Sequence, residues 1–255
     1  MHAEFDLRGH TAVVTGGNRG IGLGIARHLA MAGADVAIWS RDATANDKAV
    51  SMLTAYGRSC RGYVCDVSDE EQVEAAMSAT IADLGPVHSM FANAGRGGNL
   101  VPFLEATLQE WDSVLEVNLH GTFLSFRAAA NAMAAAGTGG SLVATSSVST
   151  IHGAPRAVPY AASKGAVDAM VKALAVELAR HGIRANAMVP GWIEVERTAE
   201  THARADFQAH VLRRIPARRW GNADDVGRVA VFLASEASSY VTGQSIVVDG
   251  GYTVF

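Results

Sequence analysis

Short apolar, β-prone runs alternate along the chain with stretches whose apolar residues recur at helical spacing. The run Thr11 to Thr15 (TAVVT) leads into a helix over Ile21 to Ala32, in which Ile25, Leu29 and Ala32 share a face. Asp35 to Ser40 then precedes a helix near Asp42 to Tyr56, Arg61 to Cys65 a helix from about Asp69 to Leu84, and Val87 to Ala92 a long helical region from about Leu108 to Ala136. Ser141 to Thr145 is followed by a helix from about Tyr160 to His181, and that by Arg184 to Val189. Strand after helix after strand, with both faces covered, predicts an α/β fold: a Rossmann-like, doubly wound parallel sheet.

Past Val189 the rhythm changes. Glu194 to Arg219 is rich in charge and His, with a helical piece around Ala199 to Leu212, before a helix from about Ala223 to Ala234 and a last strand at Ser245 to Val248. Ligands bind beyond the carboxyl ends of the strands in such sheets, so the segment at about 194–219 is expected to act as a substrate lid. No repeat, low-complexity tract or linker divides the chain, and residues 1–255 are expected to form one domain.

Composition removes several function classes. Hydrophobic residues at 49% and charged ones at 18% exclude disorder. A net charge of −4 offers no basic footprint for nucleic acid. No apolar run approaches the roughly 18 residues that span a bilayer, and the start Met1 to Asp6 lacks a basic region followed by an apolar one, so no membrane partner and a cytoplasmic location are expected. The 9 His occur without H-E-x-x-H or Cys/His pairs, so no metal site is expected, and Cys60 and Cys65 read as small buried residues.

The chemistry concentrates first at Thr15-Gly16-Gly17-Asn18-Arg19-Gly20-Ile21-Gly22, where a strand turns directly into a helix. Free N–H groups and the positive end of the helix dipole face an anion there, and glycines let a diphosphate approach without Cβ clashes, which predicts a dinucleotide ligand. No Gly-Lys-Ser/Thr follows Gly22, so nothing supplies a phosphate-loop lysine and its magnesium-binding hydroxyl. Tyr160 and Lys164, four apart, share a helix face, and an ammonium near a phenol draws its pKa down from about 10 toward the range of an acid-base catalyst. Ser147 follows the strand ending at Thr145, which places its hydroxyl at the carboxyl edge of the sheet. Asn118 is a polar residue inside an apolar helical stretch and needs a partner if buried.

These residues resemble the roughly 250-residue branch of the short-chain dehydrogenase/reductase family over nearly the whole chain. Thr15-Gly16-x-x-x-Gly20-x-Gly22 is similar to its cofactor loop, Asp66-Val67 to its adenine-contacting pair, and Asn93-Ala94-Gly95 to its sheet-stabilising motif. Asn118, Ser147, Tyr160 and Lys164 match its catalytic four in order and spacing; Pro190-Gly191 matches its nicotinamide-side motif, and Tyr240 to Gly243 with Asp249 to Gly251 its C-terminal strand and tail. The resemblance implies a hydride transfer between a nicotinamide cofactor and a ketone or secondary alcohol. Tyr160 would exchange the proton, Ser147 hold the substrate oxygen, Lys164 bind the nicotinamide ribose, and Asn118 support a water relay to Lys164. Val195 stands where the family often has a threonine that bonds the carboxamide, which leaves backbone near Ile193 to orient the ring. Family members are usually tetramers, so a homotetramer is expected.

At the end of the second strand Ser40 takes the place of the usual acid and Arg41 offers a guanidinium fork, with Arg19 approaching from the glycine loop. Two cations and no acid favour NADP(H), with NAD(H) the alternative; Asp42 either caps the next helix or turns inward and weakens the preference. Arg96 to Gly98, Ser149 to His152, Trp192 and the lid are expected to line the substrate pocket, whose small-molecule occupant is a ketone/alcohol pair, with 3-oxoacyl reduction and polyol oxidation as leading candidates. The alternative is a cofactor-binding sensor or scaffold that does not turn over. A serine hydrolase lacks its G-x-S-x-G elbow.

Overall fold

β1 (Thr11–Thr15) is buried along its whole length, which only a strand with packed layers on both faces can be. The computed structural model describes residues 3–255, apart from the side chains at 197, 201 and 202. β1 is followed by α1 (Gly20–Met31), β2 (Asp35–Ser40), α2 (Ala43–Thr54), β3 (Cys60–Val64), α3 (Glu70–Leu84) and β4 (Val87–Ala92). The chain continues through α4 (Leu108–Leu115), α5 (Gly121–Ala136), β5 (Gly140–Thr145), α6 (Val158–Glu177) and β6 (Ile183–Pro190). The remainder comprises α7 (Ala199–Ala203), α8 (Ala205–Arg213), α9 (Ala223–Ala234) and β7 (Ser245–Val248).

All seven strands pair in parallel, in the order β3-β2-β1-β4-β5-β6-β7. The chain winds outward from β1 to β3, then returns to place β4 on the other side of β1, so the loops after β1 and β4 part and leave a crevice at this switch point. Alternate strand residues feed two cores: Val13, Trp39, Met90 and Leu142 pack with α3, α5 and α6, while Val14, Ile38, Phe91 and Val143 pack with α1, α2 and α9. A smaller third core joins the segment at 194–219 to the C-terminal tail through Val211, Ile215 and Tyr252, with Trp192, Phe207 and Trp220 around them.

Three elements differ from the sequence pattern. The long helix expected over Leu108 to Ala136 is interrupted by a π turn at Glu116–His120, whose wider backbone turns Asn118 fully inward. The helix expected from Tyr160 to His181 starts at Val158, with Pro159 in its first turn where a missing N–H does no harm, and ends at Glu177 before a separate 3₁₀ turn at Ala179–His181. The helical piece expected over Ala199 to Leu212 is two helices with Arg204 extended between them. Periodicity carries no mark for any of these breaks, because each leaves the apolar spacing nearly intact. Cys60 and Cys65 are free and buried.

Candidate active site

The crevice is held open by hydrogen bonds among the strand ends. Thr15 Oγ1 accepts from the N–H groups of both Asn93 and Ala94 at 2.9 Å, and Asn93 donates from Nδ2 to Thr15 O at 3.1 Å. Thr145 Oγ1 donates to Asn93 Oδ1 at 3.2 Å, so one asparagine joins the ends of β1, β4 and β5. Gly16 has φ +63°, and a Cβ there would stand 3.2 Å from Ala94 Cα. At Gly22 a Cβ would lie 2.2 Å from Gly16 O, so the loop closes on itself only without a side chain.

α2, α3, α4 and α9 are each capped by a side chain, from Asp42, Asp69, Thr107 and Asn222. α1 has no side-chain cap, and its first N–H groups open on the crevice beneath the glycine loop. An uncapped helix end at a loop that has excluded side chains fits the diphosphate of a dinucleotide.

The crevice widens into a cleft of about 1230 Å³. It is lined by all the residues expected to bind the cofactor: Gly16, Asn18, Arg19, Gly20, Ile21, Gly22, Ser40, Arg41, Asp66, Val67, Asn93, Ala94, Gly95, Tyr160, Lys164, Pro190, Gly191 and Ile193. Ser147 and Trp192 line it as well. Asn118 stands behind this wall, and Ser149, expected at the substrate, is not among the lining residues; its N–H donates to Ser147 Oγ at 3.1 Å. Gly97, Gly98, Ile151 and His152 are likewise absent from the lining, and His152 packs edge-on against Tyr252 with ring centroids 5.5 Å apart. The cleft also takes in Val117, which the motifs did not mark, and Val195, Glu196 and Thr198 from the segment at 194–219. Val195 packs toward the glycine loop, 3.6 Å from where a Gly20 Cβ would be.

At one end of the cleft Lys164 is 4% exposed. Its Nζ donates to Thr145 O at 2.7 Å and lies 5.8 Å from the centre of the Tyr160 ring. Asn118 Oδ1 accepts from Arg96 N at 2.8 Å, while its Nδ2 donates to Arg96 O and to Ser163 Oγ, each at 3.0 Å. Ser163 Oγ in turn donates to Tyr160 O at 2.7 Å, so the π turn braces both the loop after β4 and the first turns of α6. This set can hold a substrate oxygen between two hydroxyls and stabilise a phenolate beside an ammonium. Cys65 also reaches the cleft, but burial pushes its thiol up to about 12, so it stays protonated and is a poor nucleophile.

At the other end Asp42 lines the cleft rim, with its carboxylate engaged in capping α2, accepting from Ala45 N at 3.0 Å. Arg41 reaches across to Asp66 Oδ2 at 3.4 Å and is largely exposed. Burial would raise the Asp66 carboxyl, but hydrogen bonds from Ser68 and the Arg41 charge outweigh it and hold the group below its usual range. The rim toward a 2′-substituent therefore carries a cation and no free acid from β2.

Known proteins resemble this chain along its full length. A family model described as Enoyl-(Acyl carrier protein) reductase matches residues 16–253. Gluconate 5-dehydrogenase of Gluconobacter oxydans is 38% identical over 250 residues, 98% of this chain and 97% of the relative. Galactitol 2-dehydrogenase (L-tagatose-forming) of Cereibacter sphaeroides is 39% identical over 252 residues, 98% of each. Among solved structures, a gluconate 5-dehydrogenase of Burkholderia cenocepacia in complex with NADP and tartrate superposes with a TM-score of 0.93 at 36% identity, over 99% of this chain and 98% of that one.

Proposed function

The chain belongs to the short-chain dehydrogenase/reductase family and is an NAD(P)-dependent oxidoreductase acting on a secondary alcohol or its ketone, and from that premise we propose an NADP(H)-dependent dehydrogenase of a polyol or sugar acid. One observation carries the catalytic assignment: a buried ammonium, Lys164, anchored on the last residue of β5, beside the Tyr160 ring in the cleft that begins at the glycine loop. When bound, the nicotinamide ring accepts or returns the hydride.

The chain's own groups handle the proton. In the oxidative direction the Tyr160 phenolate takes the hydroxyl proton of the substrate, and in the reductive direction the phenol returns it to the carbonyl oxygen. Ser147 donates a hydrogen bond to that oxygen. Lys164 favours the phenolate by its charge, and Asn118 keeps the loop at Arg96 and the start of α6 in register with both. The uncapped end of α1 would hold the diphosphate, and Arg41 and Arg19 would hold the 2′-phosphate of NADP(H), a preference helped by Asp42 serving as a cap.

Polyol or aldonate chemistry is favoured over 3-oxoacyl reduction by the names of the relatives, gluconate 5-dehydrogenase and galactitol 2-dehydrogenase. Trp192, on the cleft wall, packs edge-on against Phe207 with centroids 5.3 Å apart and so links the pocket to residues 194–219, the segment we read as the lid. Exposed Phe123 on α5 and Val176 on α6 suit a tetramer built on paired helices, and a cytoplasmic place suits a coenzyme recycled between dehydrogenases. Following reduced-nicotinamide absorbance across polyols, aldonates and ketones tests the proposal. Turnover of a polyol or aldonate is expected; cofactor binding without turnover of any alcohol or ketone would favour the sensor reading.

A further inference from the structure

Asn46 lies on α2, 2% exposed, and does not line the cleft. Its Nδ2 donates to two main-chain carbonyls, Ser40 O at 3.3 Å and Tyr63 O at 3.1 Å, at the ends of β2 and β3. Gly62 makes the room: a Cβ there would be 2.9 Å from Asn46 Cβ. With both amide hydrogens committed to carbonyls, the group turned toward Ser40 is Oδ1, 2.7 Å from Ser40 Oγ. A carbonyl oxygen only accepts, and a serine hydroxyl has one proton, so that proton points at Asn46 and away from the cleft. The lone pairs of Ser40 Oγ are left for Asn18 Nδ2 at 2.5 Å and Asp42 N at 3.3 Å.

Ser40 and Asn18 both line the adenosine end of the cleft. A phosphate oxygen there needs donors, which Ser40 in this state cannot supply, whereas a ribose 2′-hydroxyl is itself a donor and does not depend on one from Ser40. We infer that Asn46 is a positioning residue for coenzyme choice: by holding the Ser40 hydroxyl proton it tempers the NADP(H) preference created by Arg41 and Arg19 and keeps NAD(H) usable. The inference rests on the coenzyme reading above and adds a residue that touches no coenzyme. Ser40 O also accepts from Cys65 N at 3.1 Å, so that carbonyl keeps a partner when Asn46 is replaced.

The test measures dissociation constants of NADPH and NADH by fluorescence titration, and of adenosine 2′,5′-bisphosphate and 5′-AMP by calorimetry, on the full chain. In Asn46→Leu the Ser40 proton is released toward the cleft, and affinity for the 2′-phosphorylated member of each pair is expected to rise about tenfold relative to its partner. In a Ser40→Ala background the same substitution is expected to leave the ratio unmoved, because no hydroxyl remains to turn. Asn46→Ala, which removes the acceptor without new bulk, carries the same expectation and stands in should Asn46→Leu misfold. An unmoved ratio, or an equal shift with Ser40 absent, overturns the relay. Failure of the unaltered protein to bind either NADPH or NADH overturns instead the coenzyme reading on which it rests.

Discussion

Lys164 Nζ donates to Thr145 O at 2.7 Å, tying the second turn of α6 to the last residue of β5. A buried ammonium is held there at a cost in solvation, so its presence serves chemistry more than stability. Lys164→Met is expected to lower turnover by roughly a hundredfold or more while leaving thermal stability equal or slightly raised. Paired kinetics and melting curves check this; a collapse of the melting temperature with activity retained in the folded fraction would show that the lysine is structural.

Tyr160→Phe removes the transferable proton and nothing else of size. Turnover is expected to fall roughly a thousandfold, with the NADPH dissociation constant unchanged. Near-normal activity in this variant would sink the assignment of the proton to Tyr160.

Gly22→Ala places a Cβ 2.2 Å from Gly16 O and 2.5 Å from Asn93 Nδ2, and the first of these is backbone that cannot step aside. A loss of about 1–3 kcal/mol is expected, with coenzyme affinity falling further because the displaced loop is the one that faces the diphosphate. Calorimetric melting with and without NADPH reads both; an unaltered melting temperature contradicts the packing described.

Arg41→Ala removes the cation at the 2′ end of the cleft. The dissociation constant for NADPH is expected to rise about tenfold, while that for NADH moves little. An equal rise for both coenzymes would mean that Arg41 supports the loop and does not read the phosphate.

His88 is stacked on His10, with ring centroids 4.8 Å apart and planes 13° from parallel, and its Nδ1 accepts from Thr11 N at 3.1 Å. Burial, and then the neighbouring His10, lower its pKa from 6.5. The unfolded chain therefore takes up this proton before the native one does, so the contribution is complete above about pH 6.5 and is lost as pH falls below it. Urea midpoints between about pH 8 and about pH 5 are expected to fall more steeply for the unaltered protein than for His88→Gln; equal slopes would remove His88 from the acid response.

The alternation of apolar runs and helical stretches was enough to read the doubly wound sheet, because a strand buried on both faces and a helix with one apolar side are local patterns. The glycine loop and the Tyr160/Lys164 spacing were legible for the same reason, each being a few residues on one element. Periodicity did not show the π turn, since inserting one wider turn keeps residues such as Val114, Leu124 and Phe126 on the buried side. Nor did it show that Ser149 and His152 fall outside the cleft lining.

By itself the sequence determined the layers, the order of strands and helices along the chain, and the residue types brought to the carboxyl edge of the sheet. Tertiary structure alone decided that Asp42 caps a helix, that Asn46 accepts from Ser40 while donating to Tyr63 O of β3, and that Tyr252 from the tail packs against Trp192. Each of those outcomes depends on which donor meets which acceptor, or which ring meets which ring, once separate segments are packed together. Spacing along one element cannot encode that, because the partner lies on another.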